Sequence, residues 1–271
     1  MLDSPSQDTV SVSVNLLNKL ARLMRKNRID TGALTLASPE VRFRLDEETQ
    51  NPTDVSMYQL KEANALVEEW MLLANITVSK QTLRFFPTLS VLRRHQPPSQ
   101  EQFRPLLAAA EAVGVKIDIT TSKTLADSLD AAVRDDDPYF NKLLRILSTR
   151  CMVTFFTLPL YTTSFQMPAQ YFCSGEIPKD QWHHYGLAAS VYTHFTSPIR
   201  RYADIQVHRL LAASIGVISL PSSNSDRSKQ QDLCAHMVGY AILLSLSCHP
   251  LITLLSLSYH PPIECYPLSL S

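Results

Sequence analysis

Residues 192–211 read YTHFTSPIRRYADIQVHRLL, and this stretch decides how the chain around it folds. A strand-like run meets a Ser-Pro pair, and two arginines follow at once. Ser197 is a good helix N-cap, because its hydroxyl can accept a hydrogen bond from a backbone N–H two or three residues later. Pro198 then falls at the first helical position, where its missing N–H costs nothing. The pattern predicts a helix whose N-terminus carries cations and free N–H groups, which suits a phosphate.

The residues after the arginines divide into two helical faces. An apolar face is expected from four residues: Ala203, Val207, Leu210 and Leu211. Gly216 suits the position just past the C-terminus of this helix. Arg200, Asp204 and His208 recur at a spacing of four on another face, so that Asp204 can pair with Arg200. On spacing alone, a surface helix with a routine ion pair is the favoured interpretation, since such pairs are common and contribute little stability.

The order of these residues resembles the signature of the ribonuclease II (RNB) family of 3′→5′ exoribonucleases, and most closely its exosome-type members. Other parts of the chain are similar to the same family: residues 32–43, 67–75, 123–130, 143–152, 171–175 and 183–187. The resemblance runs from about Val12 to Gly216, with a short further match at residues 232–237. It implies a mixed α/β (α+β) fold, a partial RNB catalytic domain with helices packed on an incomplete sheet.

The resemblance also implies a chemistry and a set of site residues. In this family clustered aspartates hold Mg²⁺, which activates water, while an arginine binds the scissile phosphate through its planar fork. Arg200 is the catalytic arginine by its place in the signature, and four residues are expected to contact RNA: Arg201, Ser197, Thr196 and Tyr202. The implied partners are single-stranded RNA 3′ ends and exosome core subunits, not DNA. The implied compartment is the nucleus (nucleolus and nucleoplasm), with the cytoplasm as a second location.

The metal side of such a site is not expected in this chain. The family's aspartates precede the stretch that residues 32–43 resemble, and only residues 1–11 precede the first matching helix. The one local acidic run, Asp135-Asp136-Asp137, stands before Pro138. Three consecutive carboxylates point in different directions, which is typical of a solvated loop rather than a metal site. The sequence therefore predicts no Mg²⁺ ligands, and a fragment that is inactive alone.

Two segments depart from the family pattern. We divide the chain into a leader at 1–11, a partial RNB domain at 12–237 with an inserted run at 153–166, and a Leu/Ser-rich tail at 238–271. The inserted run, VTFFTLPLYTTSFQ, carries no charge and favours a strand by propensity. The tail is long enough for a membrane span, but Pro250, its serines and the lack of flanking basic residues argue against one. Our hypothesis is translated intron or another gene-model artefact, which a continuous mature transcript encoding both segments would refute.

Composition bounds the function only loosely. The net charge of the 271 residues is zero, so no strong basic field indicates RNA binding. Basic runs at 22–28 and 92–95 are each more typical of a solvated helix face than of an RNA groove. The five cysteines show no spacing for disulfides or zinc. The pair His183-His184 is interpreted as packing rather than metal binding, since no partner ligand has the usual spacing.

The periodicity predicts the following elements. Helices are expected at 12–27, 58–80, 101–113, 124–133 and 139–152. A strand pair is expected at 33–43 around Ser38-Pro39, and single strands at 115–119 and 185–195. A flexible loop is expected from Pro221. The helix at 58–80 should bury an apolar stripe (Leu66, Val67, Trp70 and Leu73) and expose its polar candidates (Glu68, Glu69 and Asn75).

Three functions of different classes remain open from the sequence. The first is an exosome-type exoribonuclease fragment, which belongs to a hydrolase family that releases nucleoside monophosphates from RNA 3′ ends. The second is a non-catalytic RNA-binding or exosome-contacting piece, such as a truncated isoform. The third is a tail-anchored membrane protein. A degradation assay with Mg²⁺ separates the first two, and behaviour on membrane extraction tests the third.

Overall fold

The computed structural model describes residues 8–35, 41–45, 52–57, 61–134, 137, 139–152 and 169–247. The helices within these ranges are α1 (Thr9–Asp30), α2 (Glu62–Phe85), α3 (Gln100–Ala112), α4 (Ser122–Ala131), α5 (Phe140–Met152), α6 (Tyr202–Ser214) and α7 (Arg227–Ser247). The strands are β1 (Val41–Leu45), β2 (Pro52–Met57), β3 (Val91–Arg94) and β4 (Gln170–Cys173). Single 3₁₀ turns lie at Lys179–Gln181, Tyr185–Leu187 and Ser222–Asn224.

Two small antiparallel ladders accompany the helices and confirm the predicted mixed α/β class. β1 pairs with β2, so that Val41 lies opposite Met57, and β3 pairs with β4, so that Arg93 lies opposite Tyr171. The strand pair expected within residues 33–43 therefore forms between β1 and a later strand. Residues 36–40 lie outside the described residues.

The five helices predicted before residue 153 are present, with ends shifted by a few residues. α1 ends where the sequence indicated, since Gly32 follows it with a φ of 102°, in the region that favours glycine. α3, α4 and α5 pack around one apolar cluster, whose fully buried members include Phe103, Leu106, Leu125, Leu129 and Leu144. Residues 115–119, predicted as a strand, form no ladder. Instead Val115, Ile117 and Ile119 pack against this cluster.

The buried face of α2 is not the one that its apolar residues indicated. Val67 and Leu73 are 62% and 40% exposed, whereas Glu69 and Asn75 are 3% and 0% exposed. The reason is tertiary, because α2 lies against α1 and α6. Arg28 of α1 neutralises Glu69 through an Nη2–Oε1 contact of 2.6 Å. A buried carboxylate is tolerated where such a partner satisfies it.

Residues 185–195 do not form the predicted strand. A 3₁₀ turn occupies Tyr185–Leu187, and the chain then runs beside β3 without a regular ladder. The backbone N–H of Arg93 donates to the Tyr192 carbonyl at 2.7 Å, and Thr193 Oγ1 donates to the Val91 carbonyl at 2.7 Å. The backbone is thus anchored by individual bonds on the edge of β3.

The region after Pro221 is ordered secondary structure rather than the predicted flexible loop. The buried Asn224 donates from Nδ2 to Gln206 Oε1 of α6 at 2.7 Å, and α7 begins at Arg227. α7 continues through Ser247 and so crosses the predicted boundary at 237/238. The inserted run at 153–166 and the tail from residue 248 lie outside the described residues. Within the described part of the chain, no helix combines the length and apolarity that a bilayer crossing requires.

Replacing Asn75 by alanine is expected to lower the free energy of unfolding by about 2–4 kcal/mol, because two buried partners lose their hydrogen bonds. Asn75 Nδ2 donates to Tyr192 Oη at 3.0 Å, and the N–H of Phe195 donates to Asn75 Oδ1 at 2.9 Å. Val67→Ala on the same helix should change the free energy of unfolding by less than about 0.5 kcal/mol. Urea denaturation measures both. A larger loss for Val67→Ala than for Asn75→Ala would contradict the described orientation of α2.

Candidate phosphate-binding site

The Ser-Pro segment forms a tight turn and not the start of the helix. The carbonyl of Ser197 accepts the N–H groups of Arg200 and Arg201, both at 3.2 Å. α6 begins only at Tyr202, with Arg201 as its N-cap residue. The prediction that Ser197 caps the helix is therefore wrong. The backbone N–H of Ser197 is itself bonded to a side chain inside α6, which holds the turn back against the helix.

That side chain is the carboxylate of Asp204, which is completely buried. Its Oδ1 accepts the Ser197 N–H at 2.7 Å and Arg201 Nη2 at 2.8 Å, and its Oδ2 accepts Arg201 Nε at 2.8 Å. The expected partner of Asp204 was Arg200, four residues before it. The structure places Arg201 there instead, because the turn brings the residue three positions earlier over the first turn of α6.

This pairing leaves Arg200 free. The Arg200 side chain is exposed, and among the described residues it forms no ion pair. Tyr202, beside it, is 49% exposed. Thr196 Oγ1 is buried and has no hydrogen-bond partner in the structure. The turn therefore presents a free guanidinium to an incoming polar group, while the Thr196 hydroxyl is buried and unsatisfied.

β3 and β4 supply further residues beside the turn, which the sequence did not indicate. The guanidinium of Arg93 lies 4.9 Å from the centre of the Tyr171 ring, its cross-strand neighbour. The Tyr171 hydroxyl lies 2.5 Å from His194 Nδ1. Residues 92–95 were interpreted as a solvated helix face. A strand's period of two, which puts Arg93 and Arg94 on opposite faces, was the signal that could have identified this residue.

The electrostatics show how closely the positive charges converge. The pKa of His194 falls to about 3, first because it is buried and then because Arg93, Arg201 and Arg200 all act on it. Burial also lowers the pKa of Arg93, and the charge of Arg201 lowers it further. The charges of three arginines thus act on one imidazole, which contacts the Tyr171 hydroxyl. Such an environment favours an anion.

Aromatic rings form a network beside Arg93 and His194. The His184 ring lies 5.4 Å from the His95 ring and 5.3 Å from the Tyr192 ring. Burial is the main cause that lowers the pKa of His184 to about 3, with smaller contributions from His95 and Arg93. His184 therefore packs as a neutral ring, which is the interpretation that the sequence favoured for the His183-His184 pair.

The donor set of this site does not fit Mg²⁺. Both oxygens of Asp204 are occupied by the Ser197 N–H and by Arg201. The described ranges contain no cluster of three His, Cys, Asp or Glu residues that could hold a metal ion. Asp137 has another role, since its Oδ1 accepts the Tyr139 N–H at 2.9 Å just before α5. The rest of that acidic run, Asp135 and Asp136, lies outside the described residues.

A family profile described as the RNB domain matches residues 2–216, most of the chain. The chain belongs to the RNB domain family. It is 53% identical over 227 residues to the exosome complex exonuclease RRP44 homolog A of Arabidopsis thaliana, covering 84% of this chain and 23% of the relative. It is 46% identical over 230 residues to the human exosome complex exonuclease RRP44, covering 85% of this chain and 22% of that protein. The chain thus spans less than a quarter of these relatives.

The comparison of structures supports the same fold. The structure of Mycoplasma genitalium RNase R in complex with double-stranded RNA superposes with a TM-score of 0.66 and 22% sequence identity. The match covers 88% of this chain and 40% of the RNase R chain. The predicted RNB fold is therefore confirmed, and the arginine-rich turn of this RNB chain corresponds to the stretch that first indicated it.

The two partly buried histidines, His184 and His194, predict a loss of stability in acid. Their pKa values of about 3 lie below the value near 6.5 of an unfolded histidine, so the unfolded chain binds more protons between these values. Stability is then complete above pH 6.5 and falls as the pH drops toward 3, by roughly 1.4 kcal/mol per pH unit for each histidine.

His184→Phe keeps a ring in place and should remove about half of this histidine contribution. Denaturant unfolding at pH 7, 6 and 5 measures the slope, and the exposed His236, replaced by glutamine, serves as the control. If His184→Phe and wild type show the same slope, burial of a neutral His184 is refuted.

Proposed function

We propose that this chain is the phosphate-binding part of an exosome-type 3′→5′ exoribonuclease, a hydrolase that degrades and processes RNA. The free guanidinium of Arg200 carries the proposal, since it stands at the RNB signature with no protein partner among the described residues. Membership of the RNB family supports it, as do the two curated relatives, which are named exosome complex exonucleases.

The geometry divides the work between the two adjacent arginines. Arg200 contacts the scissile phosphate, because its planar fork is available for bidentate binding. Arg201 adds positive charge, but its Nε and Nη2 donate to Asp204. Arg201 therefore positions the turn rather than binding the substrate directly. Thr196 Oγ1 is buried without a partner, so it can donate to a phosphate or ribose oxygen only when the turn opens around the ligand. The half-exposed ring of Tyr202 offers a surface on which a base can stack.

The proposed substrate is the 3′ end of single-stranded RNA. Contacts to the backbone and stacking on rings are tolerant of sequence, so we expect little base preference. The RNase R structure that shares this fold is a complex with double-stranded RNA, which supports an RNA ligand. From the names of the curated relatives we also propose association with exosome core subunits, and with it a location in the nucleus.

The 271-residue polypeptide by itself is expected to bind RNA without hydrolysing it. Hydrolysis in this family uses Mg²⁺, and the described residues do not bring together the acidic ligands that this ion prefers. Incubation of a 3′-labelled single-stranded RNA with the polypeptide and Mg²⁺, after binding has been verified on the same sample, measures turnover. Mg²⁺-dependent shortening of the RNA would show that a metal site exists in this chain.

Single alanine replacements should separate the two arginines. Arg200→Ala should weaken RNA binding about tenfold or more and reduce the slope of log K against log salt by about 0.7, with no change in stability. Arg201→Ala should also weaken binding, but it leaves the buried Asp204 carboxylate unpaired and costs about 3–5 kcal/mol of stability. Filter binding at several salt concentrations and thermal unfolding are the measurements.

The two variants control each other, because each removes one positive charge from the same turn. Equal losses of stability would refute the assignment of Asp204 to Arg201. An unchanged salt slope for Arg200→Ala would refute the phosphate role of Arg200, even if its affinity fell.

A further inference from the structure

Arg93 is a partly buried cation that the fold does not neutralise. Its guanidinium lies over the Tyr171 ring, Tyr192 also acts on it, and the charge of Arg201 lowers its pKa. Among the described residues it forms no ion pair. Buried charges in proteins are ordinarily paired, because the desolvation cost of an unpaired one is large. The protein therefore offsets this partly buried charge with an aromatic ring and not with a carboxylate.

Arg94, the next residue on β3, is an arginine whose side chain is bonded within the protein. Arg94 faces the opposite side of the strand. It donates to Gln181 Oε1 at 3.2 Å and to Gln170 Oε1 at 3.3 Å. Its guanidinium also lies 5.8 Å from the Phe172 ring centre. Arg94 is thus held by neutral acceptors of the protein, whereas Arg93 is surrounded by aromatic rings and other positive charges.

The surroundings of Arg93 are built for a polar ligand. Arg93, Arg200 and Arg201 all act on the imidazole of His194, and the one carboxylate among them is already bonded to Arg201. The register of β3 and β4 and the contact between Tyr171 and His194 hold the guanidinium in place. Thr196 Oγ1, two residues beyond His194, is a buried atom without a partner. An anion in this pocket would offset the repulsion among the arginines.

We propose that Arg93 is a second phosphate-binding residue of this site, which donates to the RNA backbone at a deeper position than the exposed Arg200. Tyr171 and His194 act as positioning residues, because they touch Arg93 or its ring partner and keep the pocket neutral apart from the arginines. The assignment rests on the proposed RNA-binding function and adds to it the inner anion subsite. It requires no covalent step.

The test compares Arg93→Met with Arg94→Met, which remove the same charge from adjacent positions of one strand. Arg93→Met should weaken binding of single-stranded RNA at least tenfold and lower its salt slope by about 0.7, with an unchanged or raised melting temperature. Arg94→Met should leave affinity and slope unchanged and lower the melting temperature, because its bonds to two glutamines are lost. A purely structural Arg93 would instead show loss of stability.

A second measurement uses inorganic pyrophosphate as the probe. It should raise the melting temperature of wild type and of Arg94→Met at low salt, and leave that of Arg93→Met unchanged. If the wild-type protein shows no salt-dependent RNA binding, the proposed function is overturned. The pyrophosphate measurement still decides whether the anion subsite exists. If wild type and Arg93→Met bind RNA equally, or show equal shifts of melting temperature with pyrophosphate, only the proposed subsite is overturned. If the Arg93→Met variant is unfolded or strongly destabilised, Arg93 has a structural role and the proposed subsite is overturned as well.

Discussion

The buried carboxylate of Asp204 is the interaction on which the site depends. It joins the first turn of α6 to the Ser197 N–H and to the guanidinium of Arg201, and no part of it reaches solvent. A carboxylate can be buried in this way only if charged and N–H donors replace its hydration. Because Asp204 takes Arg201 as that donor, the turn is fixed and Arg200 is left available. The geometry of one ion pair thus selects which of two neighbouring arginines can bind a ligand.

The rest of the fold keeps this ion pair in place. Ala203, Val207 and Leu210 bury the inner face of α6 against Val91 of β3. Asn75 of α2 bonds the backbone at Phe195, so the chain enters the turn at a fixed position. On the other side, the pairing of β3 with β4 sets the place of Arg93. Arg93 and Arg201 therefore lie near enough for the charge of Arg201 to lower the pKa of Arg93.

Membership of the RNB family indicates which kind of ligand this group of arginines is expected to bind. A cluster of arginines with stacking rings fits an RNA backbone, while its donor set does not fit a divalent metal. The chain spans less than a quarter of the curated relatives it matches, so the assignment of a complete hydrolytic site to it is a proposal.

The sequence by itself determined the helices before residue 153, because each carries a helical repeat of apolar residues and recognisable end signals such as Gly32. It also determined the importance of the stretch at 192–211, whose composition identifies it without any contact information. It did not determine which face of α2 is buried, since the partners of Glu69 and Asn75 lie at Arg28, Tyr192 and Phe195, far along the chain. Nor did it indicate Arg93. Only tertiary structure decided that β3 stands opposite the turn, because pairing with β4 joins residues about 80 positions apart, and local periodicity carries no record of such a contact.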